Sequence, residues 1–150
     1  VKPGREKKRV LRIAVALIEG EDGRLLLVRK RGSAIFMQAG GKIEPGETPR
    51  AALIRELAEE LALEIPPEAP EFMGRFEAPA ANEPGFTLEA ESFRLKLGAV
   101  EVRPCAEIEE ALWLEDSAQA GVPLAPLLEL RILPLLRRER AEAAARPPAP

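Results

Sequence analysis

The 150-residue sequence has no histidine and one cysteine, Cys105. A lone cysteine excludes an intrachain disulfide and fits a reducing cytoplasmic setting; Cys105 itself reads as a small apolar residue in or near the core. Cys₄ and Cys/His zinc sites are excluded, as are Ser-His-Asp and Cys-His devices. Any chemistry must rest on carboxylates, Lys, Arg or a metal held by oxygen. A strong excess of either charge is also missing. The 22 basic and 25 acidic side chains leave a net charge of -3, which argues against a dedicated nucleic-acid binder. No apolar run is long enough to span a bilayer. The opening "VKPGREKKRVLRIAVALIEG" superficially suggests a signal peptide, but Arg12 interrupts it and no small-residue cleavage site follows. Residues 1–8 read instead as a solvated basic arm leading into a buried strand, with no membrane partner expected.

What is present is globular composition, 46% hydrophobic and 31% charged, enough for one domain with a real core. We place that domain at residues 9–138, followed by a helix end and flexible tail at 139–150. Val10–Ile18 is a β-branched apolar run closed by "EGEDG", whose Asp22–Gly23 is a hairpin signal. Arg24–Arg31 reads as the return strand, and "AIFMQAG" as a third short extended segment. Phe72–Ala78 and Phe86–Leu97 follow as strands; in the latter Phe93, Leu95 and Leu97 alternate with Arg94 and Lys96. A short strand at Ala111–Leu114 precedes a C-terminal helix with Pro123 or Pro126 in its first turn. Pro134 is expected to kink or break that helix, and the final "ARPPAP" to be disordered.

Residues 40–63, "GGKIEPGETPRAALIRELAEELAL", place a glycine pair just ahead of a helix carrying Glu56, Glu59 and Glu60. Thr48 reads as the N-cap and Pro49 as the first helical residue. At ~100° per residue, Leu53, Ile54, Leu57 and Leu61 share one face, and the three glutamates share another roughly 120° away. The carboxylates are therefore expected to aim together at one side. Carboxylates so placed raise one another's pKa unless positive charge sits among them. Magnesium suits the role, because it takes few protein oxygens and shares itself with substrate phosphates. A Gly-Gly loop lets backbone groups approach such an ion or phosphate closely. Read alone, Arg-Glu-Leu-x-Glu-Glu is more simply a solvated face, with Arg50 and Arg55 pairing the glutamates at helical spacing.

The longer pattern decides between these readings. Gly41, Glu47, Arg55–Glu56, Leu57, Glu59–Glu60 and Leu63 together resemble the Nudix box, the signature of the Nudix (MutT-like) hydrolase family. The box covers about a sixth of the chain. The flanking strands and the "ALWLE" strand before the last helix extend a looser resemblance over residues 10–136. The resemblance implies an α/β fold, a Nudix-type α/β/α sandwich around a mixed β-sheet. It also implies Mg²⁺- or Mn²⁺-dependent hydrolysis of the diphosphate linkage of a nucleoside diphosphate joined to another moiety. Oxidised and noncanonical nucleotides are among the candidates. One position departs from the pattern: Ala62 stands where the box usually ends in Gly. A left-handed helix terminus there would cost Ala about 1 kcal/mol.

The resemblance assigns Glu56, Glu59 and Glu60 as metal ligands, with the Gly40 carbonyl beside them. Glu47 and Arg55 become the pair that ties loop to helix and positions the glutamates. Attack by a metal-activated water on a phosphorus is implied, with the proton taken by Glu56 or Glu59. A base outside the box is the alternative, and Glu83, Glu89, Glu91, Glu107, Glu109 and Glu110 are the candidates. Glu89 and Glu91 share strand parity with Phe93 and are expected to face the cleft. Gly40, Gly41, Lys42 and Phe36 are the substrate-binding candidates. Phe36, Phe76, Phe86 and Trp113 are the aromatic platforms available for a base, though core packing suits all four better; Asn82 is the only asparagine. The expected partner is a nucleotide-type small molecule, without stable nucleic-acid binding. Homodimers are common in the family, but no interface is legible here. The competing function is a non-catalytic nucleotide-binding sensor of the same fold, whose usual sign, eroded metal glutamates, is absent here.

Overall fold

Strand β1 (Arg9–Gly20) is the spine of the molecule, and its alternation divides the core in two. Ala14, Ala16 and Ile18 face one way while Val15 and Leu17 face the other, all buried. Successive strand side chains point to opposite faces, so a strand apolar on both must be covered on both. The computed structural model describes residues 9–115 and 121–148; the basic arm 1–8 and the last two residues of the tail lie outside the described residues.

After β1 come β2 (Leu25–Lys30), β3 (Phe36–Met37), β4 (Ala39–Lys42), helix α1 (Pro49–Leu61), β5 (Glu71–Pro79), β6 (Phe86–Leu97) and β7 (Ile108–Leu114). A π-helical turn, Leu128–Ile132, then runs into α2 (Leu133–Ala145). The strands make one mixed sheet ordered β3-β2-β1-β6-β5, with β4 added on β1 and β7 on β2. One edge of β1 pairs in parallel with all of β6, from Arg9 opposite Phe86 to Gly20 opposite Leu97. The other edge is shared. β2 pairs with it at Glu19 opposite Leu25, and β4 takes over from Ala16 opposite Ala39 to Ile13 opposite Lys42. That fork sets Gly40 and Gly41 against the middle of β1.

Helix α1 covers one face with Leu53, Leu57 and Leu61, all fully buried against Ala16, Phe93 and Leu95. Leu128, Ile132 and Leu136 cover the other face over Leu17, Leu25 and Leu27. Each such leucine contributes about 1.5–3 kcal/mol by leaving water. The α/β/α sandwich expected from the sequence is the observed architecture.

Details differ at two places. The third extended segment is two short strands separated by Gln38, because the chain leaves β2 at Met37 and joins β1 at Ala39. Pro134 does not break the last helix. Leu133 N–H donates to Leu128 O across the π turn, and such a widened turn accommodates a proline ring that would collide with the carbonyl four residues back. The helix continues past residue 138, where Arg94 holds Glu139 at 2.6 Å and Arg140 reaches Gly23 O at 2.9 Å.

Candidate active site

Local chemistry builds the loop and helix that carry the acidic residues. Thr48 caps α1 by accepting from Ala51 N–H at 3.1 Å, and Pro49 opens it. Glu47 Oε1 accepts from Glu44 N–H at 3.0 Å, while Glu47 N–H donates to Glu44 O, which closes the turn before the helix. At the far end Ala62 adopts φ 55°, with Ala62 N–H on Ala58 O and Leu63 N–H on Leu57 O. This is the left-handed ending at which a glycine is usual. Cys105 N–H donates to Glu60 O at 2.8 Å, so the segment before β7 satisfies a carbonyl that the helix end leaves open. Cys105 itself is half-buried.

The two glycines are required by what surrounds them. Gly40 has φ 145°, and a Cβ there would lie 2.1 Å from Ala14 O. A Cβ on Gly41 would lie 2.5–2.7 Å from the carboxylate atoms of Glu56. The first glycine lets β4 press onto β1; the second leaves the Glu56 carboxylate its space.

Arg55 organises the charges. Its Nε and Nη2 each donate at 2.8 Å to one oxygen of Glu47, its Nη1 donates to Glu56 Oε1 at 2.8 Å, and Nη2 also reaches Lys42 O at 3.0 Å. The fork-to-fork pairing holds the Glu47 carboxyl down at about 2, with the Glu44 N–H assisting, and raises Arg55 further above its already high value.

The three helix glutamates do not share one environment, contrary to the expectation that they aim together. Glu60 is 2% exposed and turned under the loop, where Oε1 accepts from Gly40 N–H at 2.9 Å. Burial pushes its carboxyl up to about 7 against that hydrogen bond, and the charge of Glu56 pushes the same way. Glu56 is half-buried beside Gly41. Glu59 is exposed and only brushes Arg55 at 3.5 Å. Helical spacing puts the Cα atoms on one side; the loop above then buries one carboxylate and leaves another in water. Among the described residues no group of three or more His, Cys, Asp or Glu side chains is gathered as ready-made metal ligands. The residues nonetheless fit a hard divalent cation. The donors are all oxygen, Glu60 is a carboxylate whose pKa is raised chiefly by burial and also by the charge of Glu56, and a Cβ on Gly41 would fill the space at Glu56.

A cavity of about 400 Å³ begins at this point. Gly40, Gly41, Lys42 and Glu56 line it from β4 and α1. Leu11, Ile13, Val15, Leu88, Leu127 and Leu128 form an aliphatic wall, and the segment Ala80–Glu83 forms the rim. Of the substrate-binding candidates, Phe36 stands apart. Its side chain is buried in the α2-side core, and its backbone ties the Pro123–Ala125 segment to the sheet. The other aromatics also lie elsewhere: Phe76 packs on the α2-side core, Trp113 on the α1-side core, and Phe86 under Arg9.

Among the proposed bases outside the box, Glu83 and Glu107 line the cavity, ion-paired with Lys42 at 3.7 Å and Lys30 at 3.5 Å. Glu89 and Glu91 do not. Their parity with Phe93 is as expected, but Arg75 holds both, at 3.6 and 2.6 Å, on the α1 face of the sheet. Glu109 and Glu110 pair with Arg31 and Arg29. Sequence reasoning missed Gln38 and the leucines of the helix preceding α2, which line the cavity. For Gln38 a signal existed, a polar residue at the parity of Phe36 inside an apolar strand.

Comparison with known proteins agrees with this geometry. Residues 8–124 match the NUDIX domain. Over 60 residues the chain is 40% identical to CTP pyrophosphohydrolase of Escherichia coli, an alignment covering 37% of this chain and 44% of that protein. It is 37% identical over 60 residues to 8-oxo-dGTP diphosphatase of Haemophilus influenzae, with the same shares. The matched stretch thus spans less than half the length of these curated relatives. The fold superposes on the crystal structure of MutT protein from Methanosarcina mazei with a TM-score of 0.72 and 22% identity, covering 89% of this chain and 97% of that one. Sequence and fold lead to one conclusion: the chain belongs to the Nudix (MutT-like) hydrolase family.

Proposed function

We propose that this chain hydrolyses the diphosphate linkage of a nucleoside diphosphate joined to another moiety. A divalent cation, Mg²⁺ or Mn²⁺, would be held by Glu56, Glu59, Glu60 and the Gly40 carbonyl. The observation that carries the reading is the cavity itself, acidic beside Gly41 and aliphatic along its length. It offers charge chemistry for phosphates beside aliphatic surface on which a flat heterocycle can lie. When bound, the cation would neutralise phosphate oxygens and make a water more acidic.

The chain's own residues supply the rest. Arg55, held on Glu47 by two 2.8 Å hydrogen bonds, fixes the Glu56 carboxylate in position. Lys42, exposed at the rim, meets an arriving phosphate. Glu56 or Glu59 takes the proton from the attacking water; besides Glu56, the carboxylates that line the cavity are Glu44, Glu83 and Glu107. Water adds across one P–O–P bond, giving two phosphate-terminated products. The names of the two curated relatives support a nucleoside triphosphate, including an oxidised or noncanonical one, as the substrate, split to a nucleoside monophosphate and pyrophosphate.

The test is a chromatographic screen of nucleoside triphosphates and nucleoside diphosphate derivatives with Mg²⁺ or Mn²⁺. Turnover abolished by EDTA is expected. Tight nucleotide binding without product under either metal would replace this reading with that of a sensor.

A further inference from the structure

The cavity contains one side chain that neither the fold nor the proposed reaction uses. Gln38 lies between β3 and β4, is 5% exposed and lines the cavity, and neither Oε1 nor Nε2 has a hydrogen-bond partner. Buried carboxamides are nearly always satisfied, and leaving both atoms unmatched is costly. An apolar residue of similar size would suit the core better.

The surrounding wall sharpens the point. It is aliphatic, with no Phe or Trp among the described residues that line the cavity, so a heterocycle seated there receives little help from ring stacking. Of the charged lining residues, Lys42, Glu83, Lys30, Glu107 and Glu56 are already ion-paired. Asn82 accepts from Ser33 Oγ at 2.9 Å. Gln38 is left as the buried neutral group with both a donor and an acceptor unspent.

We propose that Gln38 reads the substrate's heterocycle. Its carboxamide exchanges a pair of hydrogen bonds with an adjacent donor and acceptor on the edge of a nucleobase lying on the aliphatic wall, as glutamine pairs with the amino and N7 edge of a purine. This assignment rests on the proposed nucleotide hydrolysis, because it takes the phosphates to be held by the Gly40–Gly41 and Glu56 groups and the base to lie on the aliphatic lining beside Gln38. It makes Gln38 a specificity residue with no part in bond cleavage.

The experiment compares wild type with Gln38→Met, which keeps length and removes both hydrogen-bonding groups. Hydrolysis is measured on nucleoside triphosphates that differ only in the base, and on a base-free triphosphate. Expected for the variant is a roughly tenfold to hundredfold loss of kcat/KM on the preferred base, carried by KM. Base preference should flatten, base-free hydrolysis should stay unchanged, and the thermal midpoint should be equal or higher. Equal losses on base-bearing and base-free substrates, or an unaltered order of preference, would overturn the assignment.

Binding separates it from the hydrolysis itself. In EDTA, the wild-type Gln38 side-chain amide resonances should shift with a matching nucleoside monophosphate and not with ribose 5-phosphate. That result in a protein that cleaves nothing would support Gln38 while ending the hydrolase reading. Brisk hydrolysis without the shift would end the Gln38 assignment alone.

Discussion

The acidic and aliphatic parts of the candidate site are made in different ways. The acidic part is almost one continuous piece of chain: Gly40, Gly41 and Glu56 line the cavity, Glu47, Arg55 and Glu60 adjoin them, and all six fall within residues 40–60. Its geometry follows from local rules, a capped helix, a closed turn and a fork-to-fork ion pair. The aliphatic part draws Leu11 and Ile13 from β1, Leu88 from β6, Ala80–Glu83 from the β5–β6 connection, and Leu127 and Leu128 from the start of the π turn before α2. On the proposed function, reaction chemistry is stored locally, whereas selectivity is stored in an arrangement that exists only after folding. Changes in the first part should stop turnover, and changes in the second should redirect it.

The largest effect expected is on turnover. Glu59→Gln and Glu60→Gln should each lower kcat by about a hundredfold or more, read as product release under saturating Mg²⁺. Full activity in either variant would remove that residue from the acidic part. Next come the glycines, which separate fold from chemistry within two residues. Gly40→Ala should cost several kcal/mol of stability and most soluble yield, since the new Cβ meets Ala14 O in a backbone conformation that Ala resists. Gly41→Ala should remain folded by circular dichroism but lose roughly tenfold or more in activity, because its Cβ displaces the Glu56 carboxylate. Equal melting losses for both variants would contradict the distinction.

The titration of Glu60 gives a signed prediction for the metal-free protein. Its folded pKa of about 7 lies above its ordinary 4.5, so the native state holds the proton more tightly than the unfolded chain. Stability should fall as pH rises from about 4.5 through about 7, by on the order of 3 kcal/mol for such a shift. Urea melts at pH 5 and pH 8 should show the fall in wild type and not in Glu60→Gln. Added Mg²⁺ should restore more stability at pH 8 than at pH 5, because the ion competes with that proton.

Glu47 should behave in the opposite sense. Its carboxyl sits near 2, below its ordinary 4.5, because Arg55 and the Glu44 N–H favour the charged form. The stability that it contributes is present above pH 4.5 and is lost as pH falls toward 2. Glu47→Gln should therefore be less stable than wild type at pH 6 and nearly equal to it at pH 2. The smallest effect belongs to Ala62→Gly. Relief of a left-handed alanine at φ 55° is worth about 1 kcal/mol, partly offset by the freer unfolded chain. The melting temperature should rise by a degree or a few, with activity unchanged.

The acidic helix, its cap and its buried leucine face were legible from residues 40–63, because helix periodicity and cap chemistry act over a few residues; that Ala62 keeps the left-handed ending, which its replacement of the box glycine had put in question, the structure decided. The sandwich was legible only through the resemblance to the Nudix box; the physical reason for it, a central strand apolar on both faces that requires cover on both, is what the structure adds. The burial of Glu60 was not, since it depends on β4 entering the fork between β1 and β2 and laying Gly40 over the helix. Glu91 shows the converse. Its parity on β6 was read correctly, yet Arg75 on the neighbouring strand neutralises it away from the cavity. Phe36 was placed beside the site by its closeness in sequence to the glycine loop, but its side chain lies in the α2-side core.

By itself the sequence determined the family, the acidic loop–helix unit and which residue types are present for the chemistry, since these are matters of spacing within one element. Tertiary structure alone decided which carboxylate is buried and which lies in water. It also decided which distant segments wall the cavity, and that Gln38, one of its lining residues, is left buried without a partner. The physical reason is that burial and pairing depend on neighbours contributed by other strands and helices, whose identity no local pattern encodes.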